Sequence, residues 1–415
     1  MSVGLLGTAG LNFLYWWFAA RTLSAQAVGY GSATVSLLAL LALLAECGLG
    51  PLLIGELGRT RDPNPLIRAS LLLSTLAASA LGIVFLVVSG LLGTGLGRIT
   101  SSWTGAGLFV MSCGLAGLTF VVDQACLGLL RADLQMVRSL AFGAVRLILL
   151  AGIAWLPIAG ADESFILGTW ILAQVATLAL LVPSGILRWP ERWGTCRLTI
   201  LRPLLRRAAA HQALNIAVQA PGYLLPFVVT AIVSPAANAP FYSALMLLSA
   251  ALLIPSSLST MVLAVGAREP ERLAARLRLS LGISAAVASA AAVGFALLST
   301  FILALFSPTY PAIVGTGLGM LGLSALATVC KVHYVLIARL HGSMLPAAVL
   351  TGAGAVLELA GAILGGSHAG LSGVVAGWLA ALAVEAACML PVVARAALGR
   401  GAAVEPRTPA AGEAA

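Results

Sequence analysis

The sequence predicts an all-α polytopic membrane protein with about twelve transmembrane helices in two six-helix lobes. The 415-residue chain is 60% hydrophobic and only 9% charged, whereas a soluble domain carries about 25% charged residues. Apolar stretches long enough to span a bilayer, about 20 residues each, follow one another along almost the whole chain. Arginine-rich loops alternate with loops that hold almost no basic residues, as the positive-inside rule requires of a multi-spanning protein.

The apolar stretches form two groups of six, separated by a basic segment. The first group comprises 3–20, 31–55, 69–92, 104–130, 139–158 and 164–187. The second comprises 208–233, 241–266, 279–303, 312–338, 344–365 and 371–394. Because each group has an even number of spans, both enter the membrane from the same side, as expected for parallel repeats related by a pseudo-two-fold axis along the membrane normal. The predicted domains are an N-terminal lobe (1–187), a connector (188–207), a C-terminal lobe (208–394) and a disordered tail rich in glycine, alanine and proline (395–415).

The connector fixes the predicted orientation. It holds six arginines against one acid, Glu191, and such a hydrated cationic segment enters hydrocarbon only at high cost. Nineteen of the 23 basic residues lie in the connector, the tail and four loops, at 56–68, 131–138, 267–278 and 339–343. The loops on the other side hold two, Arg21 and Arg98. This asymmetry predicts that the connector and both termini are cytosolic, and it explains the formal charge of +9 without a nucleic-acid partner.

Several classes of enzyme are excluded by missing motifs. The chain has no GxxxxGK[ST] phosphate-binding loop, no HExxH and no GxSxG. No stretch outside the spans is much longer than the connector, which leaves no room for a soluble catalytic domain. The six cysteines show no CxxC spacing, so neither disulfides nor a metal site are expected. We therefore predict no enzymatic activity, no catalytic residues, no cofactor and no metal.

Short motifs at five places resemble those of a known family. They are AARTLS at 19–24, GYG at 29–31, LAECGLG at 44–50, GEL at 55–57 and LFSPTY at 305–310. These motifs are similar to those of bacterial polysaccharide flippases, the Wzx-type members of the multidrug/oligosaccharidyl-lipid/polysaccharide exporter superfamily. The resemblance extends from about residue 5 to residue 394. It implies two six-helix lobes around a central cavity, with spans one, two, seven and eight lining that cavity.

The resemblance also implies a function. A flippase of this type translocates a polyprenyl-pyrophosphate-linked oligosaccharide across the bacterial inner membrane, by alternating access, for the biosynthesis of surface lipopolysaccharide or exopolysaccharide. The partners implied are the lipid-linked oligosaccharide, membrane lipids and assembly proteins such as a polysaccharide polymerase.

Candidate cavity residues come from the spans that the resemblance places around the cavity. Asn12, Asn215 and Gln219 carry amides, which either bind sugar hydroxyls or hydrogen-bond neighbouring helices. Arg21 either receives a phosphate at the outer mouth or anchors its helix among lipid headgroups.

Asp123 and Arg146 lie inside spans, where ionisable residues are costly and are candidates for function. Asp123 lies eight residues before Arg131, and Arg146 lies eight residues after Arg138. Both are then about 12 Å from the cytosolic boundary at about 1.5 Å per residue, so the two are expected to pair. Either the pair fixes two helices, or Arg146 binds a lipid pyrophosphate through its guanidinium.

Four other ionisable residues fall inside spans. Glu46 is near the midplane and either takes up a proton during transport or braces a bend at the glycines that follow it. Lys331 and Glu385 lie at similar depths and are expected to pair, either as a structural pair or as part of ion coupling. Glu358 has no evident partner in the sequence.

Two further pairs concern the mouth of the cavity and its motion. Arg59 and Arg268 follow spans two and eight, where they either attract an anionic headgroup at the cytosolic mouth or merely satisfy the positive-inside rule. Pro221 and Pro226 lie within span seven and mark either a hinge or a static kink.

Two other functions stay open. A multidrug or small-molecule exporter of the same superfamily commonly carries an acid in span one or seven to couple ions, and this chain has none in either. A membrane-embedded glycosyltransferase or ligase needs an outward loop with catalytic acids, and the outward loops offer only Asp162 and Glu163 as adjacent acids. The charges within the spans argue against a non-transporting scaffold.

Overall fold

A computed structural model describes residues 2–57, 62–94, 96, 98–155, 163–184, 201–266, 272–314 and 317–400. Every regular element in these ranges is helical. The first lobe contains α1 (Ser2–Thr22), α2 (Ala25–Ala45), α3 (Leu49–Glu56), α4 (Asn64–Leu92), α5 (Arg98–Ser101), α6 (Trp103–Gly128), α7 (Ala132–Trp155) and α8 (Glu163–Leu181). The second contains α9 (Arg202–Ile232), α10 (Pro235–Ala251), α11 (Leu253–Gly266), α12 (Leu273–Phe306), α13 (Tyr310–Val314), a 3-10 helix (Gly317–Leu323), α14 (Ser324–Leu340) and α15 (Met344–Ala397).

The number of spans agrees with the sequence prediction. Within the described ranges, ten helical segments are long and apolar enough to cross a membrane. The longest of them, α15, has non-helical backbone at Ala369 and Gly370, which divides its 54 residues into two arms. Counting these arms separately and adding α1, a further helix of 21 residues, gives the twelve spans predicted.

The predicted start of span two was wrong, and the bend offered at the glycines after Glu46 is present as a break between α2 and α3. The helix begins at Ala25 rather than at 31, because the hydroxyl of Ser24 accepts a hydrogen bond from the Ala27 amide at 3.1 Å and caps it. It is then interrupted, because Cys47 (φ 52°) and Gly48 (φ 79°) adopt left-handed backbone that ends α2 before α3 begins.

Two bounds in the second lobe also differ. The helix of span seven begins at Arg202, so the last residues assigned to the connector are helical. The span predicted at 312–338 is present as one candidate span, Gly317–Leu340, which begins as the 3-10 helix and continues as α14, whereas its first predicted residues lie in the short α13. The prediction joined them because all three are apolar, and hydropathy does not reveal a change of helix type.

The antiparallel helices give the bundle two ends that differ in charge. We call one the arginine-poor end; it contains the turns at 22–25, 232–235 and 306–310. The other is the arginine-rich end, which contains the turns at 128–132 and 340–344. At the arginine-poor end both lobes share one hydrophobic cluster, with Trp16 from α1, Phe241 from α10 and Phe306 from α12. The arginine-rich end has three separate clusters, around Leu49 and around Cys126 in the first lobe and around Leu336 in the second.

Candidate functional site

A hydrogen-bonded seal joins the lobes at the arginine-poor end. The Asn238 amide, at the start of α10, donates to the Gly29 carbonyl at 2.8 Å and to the Ser32 hydroxyl at 3.1 Å, both on α2. Gly29 is required here, because a Cβ would collide with the carbonyl of Pro235 in the opposite lobe. Asn238 and Ser32 are fully buried, so water does not reach this contact between the lobes.

Arg21 belongs to the same seal. Its guanidinium donates to the Leu305 carbonyl at 2.8 and 3.2 Å, and Trp17 donates to that oxygen at 2.8 Å. The acceptor lies in the last turn of α12, where free carbonyls attract a cation. Arg21 therefore caps a helix of the other lobe, and its predicted phosphate contact stays untested.

Aromatic rings complete the closure beside these bonds. Trp16 of α1 lies 4.8 Å from Tyr242 of α10, and Phe13 lies 5.4 Å from Phe306, both edge to face between ring centroids. Opening this end would separate both pairs.

We expect Arg21→Ala to loosen the seal, because it removes the charge-assisted bonds to Leu305. In a cysteine-free background, Ser32→Cys should react slowly with a membrane-impermeant maleimide applied from the arginine-poor side. Adding Arg21→Ala should raise that rate about tenfold, as expected for the loss of about 1.5 kcal/mol or more. Thr22→Ala is the matched control, because the Thr22 hydroxyl bonds only within its own helix, to Phe18. Equal rates in all three proteins would refute the role of Arg21 in the seal.

Arg146 lies next to the aromatic part of the seal. It is 4% exposed, donates to the Asn12 amide oxygen at 2.8 Å, and its guanidinium carbon is 3.9 Å from the centroid of the Tyr15 ring and 5.1 Å from that of Phe142. Tyr242 of the second lobe is also close enough to interact with its charge. Its buried Nε has no hydrogen-bond partner, and none of these described contacts is with a carboxylate.

The predicted pair of Asp123 and Arg146 is therefore wrong. Asp123 accepts hydrogen bonds from Nε of Arg138 at 2.7 Å and from its Nη2. The third guanidinium nitrogen of Arg138, Nη1, donates to the Gln174 side-chain oxygen at 3.2 Å. Asp123 lies five residues before the end of α6, and Arg138 lies six residues after the start of α7, so the two are at a similar depth. Arg146 lies eight residues beyond Arg138, which is about 12 Å further along the same helix. The prediction failed because it placed Arg138 in a loop.

An open cavity of about 310 Å³ with a mixed polar and aliphatic wall lies in the second lobe between α9, α11 and α14. Its polar lining is Asn215, Gln219, Ser256, Ser259, Thr260 and Arg339. Arg339 donates to the Asn215 side chain at 2.8 Å, and the remaining described wall is aliphatic. Tyr223, one turn from Gln219 on α9, packs on the core of the first lobe, so the cavity adjoins the interface between lobes. None of its described lining residues is acidic.

Two of the predicted amides, Asn215 and Gln219, thus come together, whereas Asn12 lies with Arg146. Sequence reasoning missed the rest of the lining. Ser256, Ser259 and Thr260 recur at the i, i+3, i+4 spacing of one helix face, which is a signal that the sequence does contain.

Lys331 lies between two glutamates. Its Nζ is 2.7 Å from Glu358 Oε1 and 2.9 Å from Glu385 Oε2, and the Trp378 indole donates to Glu358 Oε2 at 2.6 Å. The expected contact between Lys331 and Glu385 is present. The prediction that Glu358 has no partner was wrong, because the two arms of α15 fold back on each other and bring Glu358 and Trp378 together.

Glu46 is 2% exposed and accepts a hydrogen bond from the Gly50 amide at 2.8 Å, so it braces the break between α2 and α3. Across the break, Gln212 of α9 donates to the Leu43 carbonyl at 2.6 Å. This contact joins the lobes near the arginine-rich end. A proton-carrying role for Glu46 stays a prediction.

The structure does not assign the remaining predicted residues to either candidate site. The helix α9 runs continuously through Pro221 and Pro226, and the hydroxyl of Thr230 donates to the carbonyl of Pro226 at 2.9 Å. The hinge stays a prediction. Arg59 and Arg268 lie outside the described residues.

Comparison with known proteins shows the fold. No protein-family model matches the chain, and no curated protein matches it. An inward-facing multidrug resistance MATE family transporter of the MOP superfamily matches with a TM-score of 0.73 and 16% identity, covering 95% of each chain. An outward-facing MATE family transporter has a TM-score of 0.60 and 14% identity, covering 96% of this chain and 94% of the other. A MOP superfamily transporter from Pyrococcus furiosus, described as having a binding pocket of reverse polarity, has a TM-score of 0.63 and 14% identity, covering 95% and 94%.

Proposed function

We propose that this protein translocates a polyprenyl-pyrophosphate-linked oligosaccharide across the bacterial inner membrane by alternating access between its two lobes. The observation that carries the proposal is the composition of the cavity wall. Together with aliphatic side chains, the wall presents amides and hydroxyls that match sugar hydroxyl groups and one arginine that matches a phosphate.

The same wall argues against export of cationic drugs. A cationic drug in this cavity would lie beside the positive charge of Arg339, and the described lining has no carboxylate to offset the repulsion. The two described acids of the second lobe, Glu358 and Glu385, are already paired with Lys331. The cavity therefore suits a neutral or anionic headgroup better than a cation.

The side of entry follows from the two ends of the bundle. The seal closes the arginine-poor end, and the positive-inside rule places the arginine-rich end in the cytosol. The TM-score is higher with the inward-facing transporter (0.73) than with the outward-facing one (0.60), which supports a conformation of the inward-facing kind. We infer that this conformation receives the sugar headgroup from the cytosolic leaflet. The polyprenyl tail would stay in the bilayer during loading.

Arg146 offers a second position for the pyrophosphate. Its aromatic surroundings include Tyr242 of the opposite lobe, so separating the lobes at the arginine-poor end would uncover its guanidinium. The headgroup would then pass from Arg339 to Arg146 as the open end changes.

Complementation of a bacterial strain that lacks its own oligosaccharide flippase tests the proposal. Expression of this chain should restore surface polysaccharide and clear the lipid-linked repeat that accumulates on the cytosolic face. Failure to do so, together with resistance to cationic drugs, would favour the exporter.

Within that assay, Arg339→Ala should lower complementation at least about tenfold, because a charge-assisted bond to phosphate contributes about 1.5–3 kcal/mol. Arg339→Lys should retain part of the activity, since it keeps the charge but loses the bidentate geometry. Arg131→Ala is the matched control, because Arg131 forms only an exposed pair with Asp133 at the same end. Equal activity of the alanine variants at 339 and 131 would exclude Arg339 from headgroup binding.

A further inference from the structure

The Lys331 cluster, made of Lys331, Glu358, Glu385 and Trp378, is separate from the cavity and has an uneven charge. Lys331, Glu358 and Glu385 are each 2–4% exposed, and the two carboxyl groups face one ammonium group. With all three groups ionised, the cluster carries one net negative charge in the apolar interior. An uncompensated buried charge is far more costly than a neutral group.

The excess negative charge is located at Glu385, because one of its carboxyl oxygens has no hydrogen-bond partner. Lys331 and Trp378 satisfy both oxygens of Glu358 and one oxygen of Glu385. The other oxygen of Glu385, Oε1, is buried without a partner. The carboxyl groups of Glu385 and Glu358 are close enough for a hydrogen bond between them, which two carboxylates cannot form. A proton on Glu385 would supply that bond and neutralise the cluster.

The packing favours a proton over a metal cation. The ammonium of Lys331 already fills the space between the carboxylates, at 2.7 and 2.9 Å. A sodium ion would have to displace this tethered ammonium, and no group of three metal-ligating side chains is found in the described part of the chain. The glutamate is also confined, since a Cβ at Gly354 would lie 2.7 Å from Glu385 Cγ and closer still to its carboxyl.

The cluster is connected to the cavity through one helix. Lys331 lies on α14 one turn from Val335, which lines the cavity, and two turns from Arg339. It joins α14 to both arms of α15, through Glu358 on the first arm and Glu385 on the second. A change of charge here therefore acts on the helix that carries the cavity arginine.

Few other titratable groups face the cluster. Cys330, also on α14, is the described neighbour whose thiol interacts with Glu385. His333 is bonded instead to Ser280 of α12 at 2.9 Å and to the Val329 carbonyl. The described polar contacts of the cluster include no residue of α9 or α12.

We propose that the Lys331 cluster binds one proton on Glu385 and releases it once in each transport cycle, so that a proton gradient drives the lobes. Binding changes the net charge of the cluster from minus one to zero, and release restores it; no other reactant is consumed. The proposal rests on the alternating access proposed above, but the proton site itself can be tested without any transported substrate.

Infrared spectroscopy of the purified protein in lipid, recorded as a function of pH, tests the site. The wild type should show a carboxylic-acid C=O band that shifts in D₂O and disappears as the pH is raised. Glu385→Gln should remove that band, and Glu358→Gln should alter it. Glu46→Gln is the matched control, because Glu46 is a buried glutamate outside the cluster. This variant must retain the part of the carboxylic-acid band that Glu385→Gln removes. A band that is absent in the wild type, or unchanged in Glu385→Gln, would overturn the proposal.

Transport in proteoliposomes separates a proton carrier from a structural cluster. A polyprenyl-pyrophosphate-linked disaccharide is the probe, with and without an imposed pH gradient. The wild type should transport several-fold faster with the gradient, whereas Glu385→Gln should transport at one rate in both conditions with a similar midpoint of thermal unfolding. Gradient dependence that survives in Glu385→Gln would overturn the coupling. If no disaccharide moves but the infrared band behaves as described, the proposed substrate fails and the proton site stands.

Discussion

Replacing Arg146 by methionine should abolish transport without destabilising the protein. Arg146 is 4% exposed, its described contacts are one amide and aromatic rings, and its Nε has no acceptor. An unpaired buried cation costs folding free energy, so methionine, which keeps much of the aliphatic volume, should leave the thermal midpoint unchanged or raise it. Flippase complementation should fall at least about a hundredfold, the loss of about 3 kcal/mol of charge-assisted binding.

Arg146→Lys is the informative companion variant. Lysine keeps the positive charge but lacks the planar guanidinium that lies over the Tyr15 ring and that binds a phosphate through two hydrogen bonds. We therefore expect an intermediate activity. A stable Arg146→Met protein with full activity would show that this arginine is not part of the translocation path. A strongly destabilised one would show that it is structural.

Arg138→Met should instead cost stability, because Asp123 would be left without its counter-charge. Breaking a buried pair costs about 3–5 kcal/mol, and we expect the lower part of that range since the Asp123 side chain is 23% exposed. The double variant Asp123→Leu with Arg138→Met should recover most of the loss, because apolar replacements of a buried pair are often neutral or stabilising. The stability of each variant relative to the wild type is measured by titrating the protein with a denaturing detergent and recording its unfolding.

A near-zero effect of Arg138→Met would contradict the structural role of this pair. So would a double variant that is less stable than either single one. The two arginines of α7 thus lead to opposite predictions, although both lie on one helix, which the predicted bounds divided between a loop that held Arg138 and a span that held Arg146.

The helical fold and the span count could be predicted because hydropathy and loop charge act over many residues. The partner of Asp123 could not, because it depends on where α6 ends and α7 begins, and an error of seven residues moves a helix position by about 10 Å. The pairing of Lys331 with Glu358 required knowledge of how the two arms of α15 turn at Ala369 and Gly370.

The cavity was predicted only in part for a different reason. Asn215 and Gln219 stood out as amides in an apolar span, whereas Arg339 was assigned to a loop and the hydroxyls of α11 were overlooked. Serine and threonine are common in membrane helices, where they bond to their own backbone, so their presence alone indicates little. The structure identifies them as cavity residues because it shows which helix faces meet.

The central claim is that the two lobes carry a lipid-linked sugar headgroup through this cavity. The most direct measurement uses the purified chain in liposomes that hold a polyprenyl-pyrophosphate-linked oligosaccharide, with an impermeant glycosidase added outside to cleave the sugars that reach the outer leaflet. We predict cleavage beyond the outer-leaflet fraction of protein-free liposomes, and its loss in Arg339→Ala and Arg146→Met. Cleavage equal to that of protein-free liposomes, with transport of a cationic dye by the same preparation, would contradict the account.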